Sequence, residues 1–148
     1  MLRLMLPVLA VLAFTPVLAD SVPVPKESLM KPPEDATRYV IVSDTNTHGD
    51  EWRWETEDGA VAFRKSQSLR GWITETDALV VLGFDGKPLK IQIRGVTPDG
   101  NAAEEMETDE NGIRWDSGAD SGTAPLDGGV YLTKGGPNAM FGLFVEYM

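Results

Sequence analysis

Residues 78–94 read Ala78-Leu79-Val80-Val81-Leu82-Gly83-Phe84-Asp85-Gly86-Lys87-Pro88-Leu89-Lys90-Ile91-Gln92-Ile93-Arg94. Two alternating runs flank an Asp-Gly dipeptide. Ala78, Val80, Leu82 and Phe84 share one face of an extended chain, and Leu89, Ile91 and Ile93 alternate with Lys90, Gln92 and Arg94 on the return. Side chains of a strand point alternately to opposite faces, so this period-two pattern gives one dry face and one wet one, as in a half-buried antiparallel sheet. Asp85-Gly86 predicts a type I′ turn, because both residue types tolerate positive φ. The stretch from Thr76 to Thr97 therefore reads as a β-hairpin.

The same grammar extends in both directions. Downstream, Asp99-Gly100 turns into a polar strand at Asn101–Thr108, and Asn111-Gly112 turns into Ile113 and Trp115. Upstream, Asp58-Gly59 leads into Val61 and Phe63. Trp52 and Trp54 share a face opposite Glu51, Arg53 and Glu55, and Tyr39-Val40-Ile41-Val42 is a short apolar strand. Turn signals at Gly86, Gly100 and Gly112, at intervals of roughly a dozen residues, predict consecutive antiparallel strands.

After a Gly- and Asp-rich loop (Asp116–Thr123), a final strand is expected at Val130-Tyr131-Leu132. Pro137 then suits the first turn of a helix from Asn138, with Phe141, Phe144 and Val145 on one face and Met140 in line with Phe144. Its apolar character up to Met148 reads as the start of a truncated element. The expected fold is mainly all-β: an antiparallel meander over residues 37–134, as a curved sheet or open β-sandwich, with a short C-terminal helix over 135–148.

The opening differs. Met1-Leu2-Arg3 precedes an apolar run from Leu4 to Phe14, and Thr15-Pro16-Val17-Leu18-Ala19 places compact residues before Asp20. That order is the signal-peptide order, and a run of about eleven residues is short against the roughly 20 a membrane-spanning helix needs. Residues 1–19 are expected to be removed on export to the periplasm or beyond, leaving no stable membrane anchor. Residues 20–36, with Pro23, Pro25, Pro32 and Pro33, read as an extended arm.

Composition narrows the function classes. A formal net charge of −10 disfavours nucleic acid, whose phosphates would be repelled, and fits solubility outside the cell. With no cysteine there is no thiol catalysis, thiolate metal site or disulfide, so the core must hold the fold alone.

The chemical candidates each have a plainer alternative. His48, the only histidine, stands in Asn46-Thr47-His48-Gly49-Asp50 without a spacing that marks a base. Ser66, Ser68, Ser117 and Ser121 lack a nucleophile context. Asp116-Ser117-Gly118-Ala119-Asp120-Ser121-Gly122 alternates oxygens as a calcium loop does, yet has no spaced bidentate Glu. Glu104, Glu105 and Glu107 could be a glycosidase pair or a solvated, charged sheet edge. Trp52, Trp54, Trp72 and Trp115 could stack on sugars or fill the core. No catalytic, metal or cofactor-binding residue is assigned, and no cofactor is expected.

The order of several short features resembles the N-terminal β domain of exported bacterial proteins of the amidohydrolase (metal-dependent hydrolase) superfamily. The features are Arg70-Gly71, Phe84-Asp85-Gly86-Lys87-Pro88, Ile93-Arg94-Gly95, Gly112-Ile113-Arg114-Trp115, Gly122-Thr123-Ala124, Val130-Tyr131-Leu132 and Gly136-Pro137. The resemblance implies a non-catalytic module beside the catalytic domain of the same parent protein, a metal-dependent barrel. That family's His-x-His has no counterpart here. A stand-alone periplasmic protein binding an apolar ligand or partner, and a carbohydrate-binding module, are the alternatives.

Overall fold

The computed structural model describes residues 23–125 and 131–146. The expected signal peptide (1–19), the first arm residues and Val130 lie outside the described residues. Among the described residues nine strands follow in chain order: β1 (Thr37–Ser43), β2 (Asn46–Glu55), β3 (Val61–Leu69), β4 (Trp72–Leu82), β5 (Pro88–Thr97), β6 (Gly100–Asn101), β7 (Glu104–Asp109), β8 (Gly112–Asp116) and β9 (Ser121–Ala124). They form a single open sheet in the order β1-β2-β3-β4-β5-β7-β8-β9, with β6 pairing β5, and all pairings are antiparallel. The meander is therefore one sheet and not a two-sheet sandwich. A short 3-10 turn at Asn138–Met140 runs into α1 (Phe141–Glu146).

The central hairpin lies where the alternation puts it. Ala78 opposes Ile93 and Val80 opposes Ile91, all four essentially inaccessible. Phe63 opposes Ala78 from the next strand, and Met106 opposes Ile91 from the other side. With Val61, Ala102, Met140 and Leu143 these residues make the core. Each large apolar side chain so buried contributes about 1.5–3 kcal/mol relative to exposure. Met140 and Leu143, one turn apart, press onto the sheet from the C-terminal segment, which defines the inner face. Phe141 is 46 % exposed while Met140 and Leu143 are buried; the side chains of Phe144 and Val145, which complete the expected faces, lie outside the described residues.

The turn chemistry is redistributed. At Asp85-Gly86 only Gly86 has positive φ (78°); Gly86 N–H donates to Gly83 C=O at 2.9 Å and Gly83 N–H to Lys87 C=O at 2.8 Å. This is a type I turn followed by a left-handed glycine, in place of the expected type I′ turn. Thr56–Ala60 repeats it, with Gly59 in the left-handed position. The two-residue loop with both residues at positive φ is Arg70-Gly71, at 53° and 83°, between the paired Leu69 and Trp72. Phe84 consequently sits in the turn and not on the apolar face, fully exposed.

Two strand expectations change. The polar strand after Gly100 is broken at Ala102-Ala103, where Ala102 N–H turns back to Gly95 C=O at 3.0 Å and the Ala102 methyl enters the core. Tyr131 and Leu132 are irregular and not a strand.

Within the core face, Glu51, Lys65, Thr76 and Gly95 stand in one cross-strand row. Thr76 Oγ1 is buried without a hydrogen-bond partner among the described residues. Leaving such a group unpaired costs about 1–3 kcal/mol. Thr76→Val, which removes the hydroxyl at nearly constant volume, is expected to raise stability by about 1 kcal/mol in urea unfolding.

Candidate functional site: buried acids on both faces of the sheet

Among the described residues four acids are buried, two on each face, and the polar chemistry gathers around them. On the inner face, Glu51 of β2 is 3 % exposed. Its Oε1 accepts Asn138 N–H at 3.0 Å and its Oε2 accepts Ala139 N–H at 2.8 Å. Lys65 Nζ lies 3.3 Å from Oε1. The first amides of a helical turn have no partner within the turn, and a carboxylate there satisfies them and the local positive potential together.

Glu104 of β7, also 3 % exposed, does the same for the chain just before. It accepts Tyr131 O–H at 2.5 Å, Lys134 N–H at 3.0 Å and Gly135 N–H at 3.4 Å. Burial first, and then the Glu104 carboxylate, push the Tyr131 phenol well above its ordinary value, so it stays protonated and donating. Its ring lies 6.1 Å from that of Trp115, tilted by 40°. Residues 131–143 thus cover the core on the inner face, held by two carboxylates from strands far away in sequence.

On the outer face, Glu75 and Asp77 of β4 hold the N-terminal arm. Asp77, 1 % exposed, accepts a two-point contact from Arg94, Nε at 3.0 Å and Nη2 at 2.6 Å, and takes Met30 N–H at 2.8 Å. Glu75 accepts Lys26 Nζ at 2.5 Å, Ser66 Oγ at 2.8 Å and the Arg64 guanidinium. Between these anchors Leu29 is 4 % exposed, so part of the proline-rich arm is packed on the sheet. A cleft of about 370 Å³ remains beneath it, lined by Leu29, Met30, Pro32, Trp52, Arg64 and Ser66 among others.

Burial alone would raise the Glu75 carboxyl, but the hydrogen bonds from Lys26, Arg64 and Ser66 outweigh it and hold it below its ordinary value of 4.5. A depressed folded-state value means stabilisation fully present above 4.5 and lost as pH falls through the lower folded value. Acidification below 4.5 is therefore expected to loosen the arm, reported by Trp52 fluorescence, and in Lys26→Ala, whose folded value is less depressed, the loss should be smaller and complete at a higher pH.

The other sequence candidates are dispersed. His48 lies in β2, and its Nε2 meets Ser43 Oγ at 2.5 Å across an exposed hairpin. Ser117 and Asp116 close the β8–β9 turn: Ser117 Oγ accepts Asp120 N–H at 3.1 Å, and Asp116 Oδ1 accepts Gly118 N–H at 2.7 Å. Among the described residues no group of three or more acids or histidines is placed to share a metal ion. Glu105 and Glu107 face outward, to Gln92 and to Lys90 and Arg114, so Glu104 does not belong with them. Trp52 and Trp54 are half-buried on the outer face, not in the core; Trp115 packs against the core on the inner face, and Trp72 is 61 % exposed at a hairpin end.

Strand parity could have found one of the four acids, since Glu104 shares its face with Met106. The partners of Glu51 and Glu104, 27 to 88 residues further on, leave no local trace. Compared with known proteins, the chain matches no family model, no curated protein and no solved structure.

Proposed function

We propose that this chain is an exported, non-catalytic β module, a scaffold whose work is to stand beside a partner domain. The use of the buried acids supports this. Both oxygens of Glu51, Glu104, Glu75 and Asp77 accept hydrogen bonds from the chain's own segments or lie in ion pairs with them. A general acid or base must exchange a proton with substrate, and a carboxylate saturated by structural donors is poorly placed to do so. The order of residues 1–19 supports export with a mature terminus at Asp20.

The resemblance of the sequence to the N-terminal domain of exported amidohydrolases supplies the partner: a metal-dependent hydrolase barrel of the same parent protein, absent from this chain. The reading frame after Met148 tests it. An in-frame barrel with a His-x-His at its first strand is the expected result, and a stop codon directly after Met148 defeats it. The cleft beneath the arm favours a second reading, a stand-alone protein binding an apolar ligand. That reading predicts a change in Trp52 fluorescence on titration with a fatty acid, and none in Trp52→Leu.

A further inference from the structure

β1 is exposed on both of its faces. Tyr39, Val40 and Val42 are 43, 49 and 64 % exposed, and only Ile41 of the seven residues is half-buried. One edge of β1 pairs with β2; among the described residues nothing pairs with the other. Proteins usually blunt such an edge with lysines, proline or a very short strand. β1 has seven residues, no proline and Arg38 as its single charge, and the register shift in its pairing with β2, between Ile41 and Val42, places the extra residue at His48 on the β2 side.

We propose that this edge pairs with the same edge of a second copy, antiparallel, about a two-fold axis at Val40. The stretch Thr37-Arg38-Tyr39-Val40-Ile41-Val42-Ser43 has nearly the same character in both directions. Centred on Val40, Thr37 stands opposite the partner's Ser43, Arg38 opposite the partner's Val42, and Tyr39 opposite the partner's Ile41. Hydroxyl–hydroxyl and aromatic–β-branched pairs are favourable cross-strand combinations, and no like charges oppose one another. Diagonal neighbours two residues further along also interact, which brings Arg38 toward the partner's Asp44. Arg38 is already on that side of the sheet, where it holds Asp50 of its own chain at 2.8 Å. Charge explains why this edge suits a second copy. A chain of net charge −10 repels itself, and residues 37–43 carry no acid.

The natural sequence has no cysteine, so single-cysteine variants read the register directly. The mature chain purified after export is expected to sediment as a concentration-dependent dimer. Val40→Cys should cross-link rapidly under mild oxidation, because residues directly opposite have Cβ atoms about 4.5–5.5 Å apart. Val42→Cys, displaced by four residues from its own copy, should not. Val40→Lys sets two ammonium groups opposite each other and should weaken the dimer by about tenfold or more, with unchanged circular dichroism. A monomer at all concentrations, a dimer untouched by Val40→Lys, or equal cross-linking at 40 and 42 would each overturn the proposal. The last two outcomes would assign the contact to another surface or register.

Discussion

Gly95→Ala is expected to destabilise the domain by about 3–4 kcal/mol, more than truncation of most single side chains on its surface. Gly95 lies in β5, at the centre of the sheet, with φ at +119°, where side-chain-bearing residues are strained. A Cβ built there would stand 2.0 Å from Glu75 C=O and 2.9 Å from Thr76 Cα. These are backbone atoms of the paired strand, so relief requires opening the β4–β5 ladder or moving Glu75, which anchors the arm. Gly95 C=O also accepts Ala102 N–H, so the shift would reach the break between β6 and β7. Gly100→Ala is the control: φ is +110° there, but among the described residues nothing lies within 4 Å of the added carbon. It should cost only the backbone strain, about 1 kcal/mol. Urea unfolding of the two variants separates collision from conformation; equal losses would show that the close approach at Gly95 relaxes freely.

Glu51→Ala is the second large effect, with an expected loss of about 3–5 kcal/mol. The substitution strands Asn138 and Ala139 N–H and leaves the Lys65 ammonium, its side chain 10 % exposed, without its partner. Removing one member of a buried pair costs more than the pair is worth, because the remaining charge stays desolvated. Two further variants check that cause. Glu51→Gln keeps an acceptor for the helical amides and should lose less. Glu51→Leu combined with Lys65→Met removes both charges and should recover much of the loss. If the double variant is as unstable as the sum of its singles, the pairing is not the source of the effect.

How much of this was legible depended on the distance over which each feature is decided. The hairpin from β4 to β5 is local: alternation at Val80, Leu82, Ile91 and Ile93 fixes the face and an Asp-Gly dipeptide marks the turn. Extending that alternation to Phe84 misplaced it, since the turn begins at Gly83 and strand parity ends there. Parity placed Trp52 and Trp54 together but could not say which face they share. That choice fell to Glu51, whose partners arrive 87 and 88 residues later. Acids are seldom fully buried unless paired, so sequence alone favours a solvated Glu104, and it is the segment from Tyr131 to Gly135 that closes over it. The arm showed only its prolines; Leu29 and the Met30 amide bind to outer-face groups that no periodicity in residues 20–36 announces.

On each face of the sheet a flanking segment packs over part of the strands, residues 26–30 on the outer face and 131–143 on the inner, and the buried acids hold them there. Native-state hydrogen exchange at the amides of Met30, Lys134, Asn138 and Ala139 tests this most directly. All four lie outside the strands, yet each donates to a buried carboxylate. Exchange slowed to rates approaching those of the central strands is the predicted result, with protection at Asn138 and Ala139 lost in Glu51→Ala. Exchange as fast as in an unstructured peptide would contradict it, and would release those carboxylates for other chemistry.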